Sequence, residues 1–393
     1  MQPFGIYIHI PFCRSICHYC QFVKTAHFSK EFSTQYFDQV KRSLRVMLEN
    51  ITAQKSGLKL VSIFFGGGTP GMFTEPYGSI LSLISSYFNL EGVEISLEAN
   101  PEDLKRENLD YWAETGFNRL SVGIQSFNER HLKFLTRYHS SARSFKAVEE
   151  AKSVFANINI DLIYGIPSQT PQELAHDLEM FIGLDLAHLS LYGLTYEPKT
   201  TLGRKQQRGI ITAAADTTEL TMYADACRTL AAKHYDHDEV SNWSKSGFHT
   251  VHNALYWKNN YYIGAGAGAH SYLPSEEAIG IRFKNTDSLV GFNSQNFDGP
   301  QDWSKWLATH TAIDMRDRSS WLDEYLGSSL RTKEGASLQK IKDITRFSFS
   351  PHPIIEQGIE EGCLQISGDF IRLTESEWFR EASWASYASL SFR

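Results

Sequence analysis

Cysteine is scarce in this 393-residue chain: there are five, an odd number, and three of them crowd into eight positions. That pattern excludes a disulfide framework and favours a reducing compartment. Long apolar runs are missing as well. No uninterrupted stretch approaches the roughly 20 residues a membrane-spanning helix needs, so no integral membrane segment is expected. Basic excess is absent, because 38 Lys and Arg against 45 Asp and Glu leave a net charge of −7. Nothing in that balance attracts nucleic acid or an acidic membrane surface. An apolar strand-like segment and Cys13 come too early to leave room for a signal or transit peptide. The expectation is a soluble cytoplasmic protein, long enough for one large and one small domain.

Within the chain, short apolar runs alternate with helix-period segments. The runs are IYIHIPF, LVSIFFGGG, VEISLEANP, RLSVGIQSF, INIDLIYGIP and HLSLYGLT. Between them, PQELAHDLEMFIGL sets Leu174, Leu178, Phe181 and Ile182 on one helix face. Repeated strand–helix alternation predicts βαβ units and a parallel sheet. Three strands carry one apolar and one polar face: Glu94, Ser96 and Glu98; Arg119, Ser121, Gly123 and Gln125; Asn157, Asn159 and Asp161. A sheet covered by helices on both sides reads almost wholly apolar. The pattern therefore favours a partial (β/α)6 barrel with a polar cavity, Glu98, Gln125 and Asp161 converging at its mouth. An exposed, solvated sheet face is the alternative.

The last ninety or so residues differ. Helical patterns precede CLQISGDFIRLTE, two short strands about a Gly368-Asp369 turn, which predicts a C-terminal winged-helix-like α+β domain. Glu356, Glu360 and Glu361 make its last helical segment a poor reader of phosphates, so no nucleic acid is expected. The expected division is 1–235 for the barrel core, 236–300 for a connecting segment and 301–393 for the small domain. The linker is placed in NTDSLVGFNSQNFDGPQDW.

The three crowded cysteines lie in PFCRSICHYCQF, as C-x3-C-x2-C at Cys13, Cys17 and Cys20. A closed structural zinc site asks for a fourth ligand, usually from paired C-x2-C hooks. A cubane [4Fe–4S] cluster needs only three thiolates and leaves one iron open. Gly66 to Pro70, after the second strand, offer bare backbone for close approach of a ligand and successive N–H groups for a carboxylate or amine-bearing headgroup. Two further patterns compete for attention. GAGAGAH, Gly264 to His270, imitates a dinucleotide fingerprint, but Pro274 and Lys284 spoil it. HYDHDE, with His234 and His237, reads as a solvated helix end rather than a metal site.

With the strand before it and GGGTP after it, the tricysteine loop resembles that of the radical S-adenosylmethionine (SAM) superfamily. YIHIPFC, FFGGGTP, SLEANPEDL, NRLSVGIQSFN, LKFLTRYHS, NIDLIYGIPSQT and LYGLTYEP resemble, in order, the oxygen-independent coproporphyrinogen III oxidase (HemN) group. The resemblance implies a [4Fe–4S] cluster on Cys13, Cys17 and Cys20 whose open iron is chelated by SAM. It places Tyr7 near cluster and SAM, and Gly67, Gly68 and Thr69 at SAM's methionine end. Glu98, Gln125, Arg137 and Asp161 fall at the family's SAM contacts.

Two branches of that group compete. The decarboxylating enzyme has a further cysteine two residues after the third, where this chain has Phe22, and a longer N-terminal extension. CHYCQF instead resembles the heme chaperone branch, HemW. HNALYW, His252 to Trp257, resembles the element associated with heme in that branch, which implies His252 as a heme ligand. The branch implies heme binding and transfer to apo-hemoproteins of respiration, with the cluster serving structure, homodimer formation or heme handling. Any contact with the inner membrane face would run through partner proteins. The alternative is a coproporphyrinogen III dehydrogenase of porphyrin biosynthesis.

Overall fold

The computed structural model describes residues 1–53, 57–275, 278–295 and 312–392. Six parallel strands follow one another in chain order: β1 (Gln2–Ile10), β2 (Leu58–Gly67), β3 (Glu94–Ala99), β4 (Arg119–Gln125), β5 (Ile158–Tyr164) and β6 (His188–Gly193). Helices return the chain between them, as βαβ connections demand. β1 and β6 do not pair with each other, so the barrel is partial. Two segments extend the sheet instead. β7 (Asp236–Glu239) and β8 (Asn242–Ser244) continue it beyond β6, with β8 antiparallel to β6. β9 (Tyr261–Ala265) runs parallel to β1 and leads to β10 (His270–Leu273), β11 (Gly280–Lys284) and β12 (Ala312–Arg316).

The expected alternation holds strand by strand. Ile63, Phe65, Ile95, Leu97, Leu120, Val122, Ile158 and Ile160 are buried in the large core. Leu174, Leu178 and Phe181 pack there from helix Pro171–Gly183, whose start is fixed by a Thr170–Glu173 capping box. The opposite, polar face is not solvated: Glu94, Ser96, Arg119, Ser121 and Asn159 are all at most 8% exposed. The interior of a partial barrel, not an open sheet face, is where these side chains lie.

Helices Arg318–Ser329, Leu338–Thr345 and Pro353–Glu360 and a three-stranded sheet form the winged-helix-like C-terminal part. In that sheet β13 (Ala336–Ser337) and β14 (Leu364–Ser367) flank β15 (Phe370–Leu373). Gly368 turns the hairpin at φ 59°, and Asp369 accepts from the Gln339 N–H. Residues 296–303 of the expected linker lie outside the described residues.

Two of the sequence patterns take definite forms. GAGAGAH is the tight connection from β9 to antiparallel β10, folded about the Tyr36 hydroxyl, which donates to His9 O and accepts from Ala267 N–H. HYDHDE corrects its expected reading. His234 does sit in an exposed turn, but His237 is buried in β7. Its ring stacks on Trp243 at 4.1 Å and meets Trp378 edge-on at 4.3 Å, because an edge strand packed by the C-terminal part needs an aromatic filler there.

Candidate functional site

β1 ends at Ile10, and the chain then loops outward with Cys13, Cys17 and Cys20. The loop is tied at both ends: Cys13 N–H donates to Thr25 O at 2.9 Å, and Thr25 N–H to Pro11 O at 2.7 Å. Lys24 Nζ braces it by donating to Cys20 O at 2.6 Å and Phe22 O at 3.0 Å. All three thiols line one cavity of about 790 Å³ at the C-terminal ends of the strands. Gly67, Gly68, Thr69 and Glu98 line it from β2 and β3, and Gln125, Arg137 and Asp161 from beyond.

The donor set suits an iron–sulfur cluster. Burial pushes the Cys13 thiol up to about 11 and raises Cys20 too, so the thiolate forms ask for compensating cationic charge. Arg137 supplies some, donating to Cys17 Sγ at 3.5 Å. Among the described residues, no three His, Cys, Asp or Glu side chains close around a single ion.

The glycine loop works differently from the donor nest expected. Gly67 N–H donates to Glu98 Oε2 at 2.8 Å, Gly68 N–H to Ile10 O at 2.7 Å and Thr69 N–H to Phe12 O at 2.8 Å. Two of these donors thus tie the loop to the end of β1 and the segment after it, the third is taken by Glu98 of β3, and none of the three is left for a ligand carboxylate. What the loop contributes is closeness. Gly67 has φ +117°, and a Cβ on Gly68 would lie 2.8 Å from the Ile10 and Phe12 carbonyl oxygens.

The charged wall is mixed in sign. Burial and the neighbouring Asp161 push Glu98 up to about 7, against the pull of the Gly67 N–H and Arg119. Asp161 is raised chiefly by burial, with Asn159 and Ser190 hydrogen bonds opposing. Arg137 donates to Gly123 O at 2.6 Å and to Asn100 Oδ1, and Asn100 Nδ2 reaches Thr69 Oγ1 at 3.3 Å. Asn100 thereby joins two expected site residues. Sequence reasoning stopped at Glu98 and passed over it, although both belong to the same LEAN segment. Gln125 reaches the cavity from a residue with φ 72° at an irregularity in the β4–β5 pairing, which no strand pattern announces.

Two expected site residues lie elsewhere. Tyr7 does not line the cavity; its hydroxyl meets His9 Nδ1 at 3.0 Å, and His9 Nε2 reaches Val23 O at 2.7 Å, which puts it one layer behind the loop. His252, expected as a heme ligand, is enclosed in this structure. It is 1% exposed, with Nδ1 2.8 Å from Ser62 Oγ, Nε2 2.8 Å from Tyr256 Oη, and the ring stacked on Phe64 at 5.0 Å. Both nitrogens are occupied, and burial holds its pKa down at about 3.

Below the cavity a buried polar column continues. Asn159 Nδ2 donates to Asp161 at 2.7 Å, and Asn159 Oδ1 lies 2.5 Å from His188 Nδ1. His188 Nε2 lies 2.9 Å from Thr250 Oγ1, which also accepts from Arg119 at 3.2 Å. Thr250 precedes helix Val251–Trp257, and Glu94 accepts that helix's first two N–H groups at 3.1 and 3.0 Å. HNALYW therefore closes the barrel floor.

A family model described as the radical SAM superfamily matches residues 7–181. A Lactococcus lactis protein named heme chaperone HemW is 34% identical over 88% of this chain and 86% of its own. The Haemophilus influenzae protein of that name is 34% identical over 95% of both chains. The solved structure of Escherichia coli coproporphyrinogen III oxidase (HemN), a radical SAM enzyme, covers 99% of this chain and 90% of its own with a TM-score of 0.77. At 19% identity that likeness speaks for the fold alone.

Proposed function

The chain belongs to the HemW family of radical SAM proteins, and on that premise we propose that it is a heme chaperone, binding heme and passing it to apo-hemoproteins of respiration. The observation that carries this reading is the match along 95% of both chains to a protein of that name. Phe22 supports it, standing where the decarboxylating branch has another cysteine.

In this reading Cys13, Cys17 and Cys20 hold a [4Fe–4S] cluster, and Glu98, Gln125, Arg137 and Asp161 bind SAM at its open iron. A bound cluster supplies one-electron reduction. The chain's own residues do the positioning. Arg137 braces the wall through Cys17, Gly123 and Asn100 and brings its positive charge to the cavity, and Glu98 and Asp161 accept from hydroxyl or ammonium groups. Tyr7 acts through His9 on the far side of the loop. A cytoplasmic location and a cluster-dependent homodimer complete the proposal. Among the described residues no helix is long and apolar enough to cross a membrane.

The test is an anaerobic hemin titration of cluster-loaded protein followed by visible absorption, then transfer to an apo-hemoprotein. Saturable binding and transfer are expected. No binding, together with SAM-dependent consumption of coproporphyrinogen III, overturns the reading in favour of the dehydrogenase.

A further inference from the structure

With His252 sealed in the floor, heme needs another seat, and the surface offers one. Among the described residues five aromatic side chains are strongly exposed: Phe22, Tyr138, Phe145, Tyr192 and Tyr387. Three of the five, Phe22 at 60%, Tyr138 at 80% and Tyr192 at 41%, line the single cavity that holds the cysteines. Exposed aromatic faces are costly to hydrate, and their gathering at one opening marks a place where a flat apolar partner is taken up.

The charges at that opening complement heme. Arg14 and Lys24 line the same cavity. The Arg14 side chain is half exposed while pairing with buried Asp103. Lys24 donates to two backbone carbonyls and lies beside the Cys20 thiol, which places its ammonium at the edge of the loop. The carboxylates of the cavity, Glu98, Glu102 and Asp161, are partly buried, as is Lys24, whereas Arg14 is exposed. Apolar faces edged by cations fit a planar macrocycle bearing carboxylates, and the cavity volume lies in the range of small-molecule sites.

We propose that heme docks across the mouth of the cysteine-lined cavity, one face of its ring against Phe22 and Tyr138 and its propionates toward Arg14 and Lys24. This rests on the heme-chaperone reading and gives it a location. Tyr138 acts by stacking, not through its hydroxyl. His252 takes no part in binding.

The experiment titrates hemin into cluster-loaded full-length protein: wild type, Tyr138→Ala, Phe22→Ala with Tyr138→Ala, Tyr138→Phe and His252→Ala, with iron content and thermal melting measured on each. Losing both rings is expected to weaken hemin binding by about tenfold or more, and Tyr138→Ala alone by about threefold. Tyr138→Phe and His252→Ala should bind as wild type does, although His252→Ala melts lower. Tyr138 lies well outside the cysteine loop, so its single variant still decides the matter if the double variant loses its cluster. Wild-type binding left unchanged in Tyr138→Ala and the double variant, or lost in His252→Ala at full iron content, overturns the docking site while sparing the chaperone reading. Absence of saturable binding by wild type overturns both.

Discussion

The upper and lower levels of the barrel interior are made from the same strand face, yet they end in opposite states. In β3, Glu94 is buried and spends its carboxylate on two helix N–H groups, while Glu98, four residues later, lines the open cavity. In β5, Asn159 is enclosed and satisfied, while Asp161, two residues later, faces the cavity. A polar group beside a cavity keeps acceptors for a ligand. The same group one pleat lower must find its partners inside the chain or cost stability. The floor is therefore a structural device and the wall a binding one, and substitutions should separate them.

The largest effect should come from the floor. Arg119 is 2% exposed, bonded to Thr250, and is a nearby cation that steadies Glu98 and, together with Arg137, Asp161. Arg119→Met removes a buried charge and its bond to Thr250 from beneath both acids, which costs about 3–5 kcal/mol. Urea unfolding of the cluster-free protein measures this. A loss under about 1 kcal/mol would mean that the column is not holding the barrel closed.

The wall should behave the other way. Arg137→Lys keeps the charge but gives up the fork that joins Asn100, Gly123 and Cys17. SAM affinity of the cluster-loaded protein should fall by roughly 10- to 100-fold, the scale of a lost charged hydrogen bond. Stability should move far less than in Arg119→Met. Calorimetric titration with SAM, beside urea unfolding of the same sample, tests both halves. Equal losses in stability would erase the distinction between wall and floor.

Much of this division was legible in the sequence, and the part that was not has a physical reason. Period-two alternation announced the barrel and its polar interior, and the cysteine spacing announced the loop, because both depend on local chain geometry. Which polar residues meet solvent depends on how far along each strand the helix Val251–Trp257 plugs the barrel, a contact more than a hundred residues away in sequence. For that reason HNALYW reads as a ligand motif and folds as a floor plate. The donors of the glycine loop were misread on similar grounds: Gly68 and Thr69 N–H groups are consumed by the end of β1 and the segment after it, which no local pattern reveals.

The smallest expected effect concerns pH, because a buried acid in the wall and a buried base in the floor bias stability in opposite directions. Glu98, held at about 7, binds its proton more tightly folded than unfolded. Its contribution is full below the ordinary carboxylate range and is lost as pH rises toward 7. His252, held down at about 3, is neutral when folded and takes up a proton on unfolding. Its contribution is full above the ordinary imidazole range and is lost as pH falls toward 3. Between about pH 4.5 and 6.5 the two slopes therefore oppose each other. Glu98→Gln should make stability rise more steeply with pH across that window, and His252→Ala should make it rise less steeply or fall. Urea midpoints at half-unit pH steps on cluster-free protein resolve the sign. If both substitutions tilt the curve the same way, burial does not hold Glu98 and His252 both in their neutral forms.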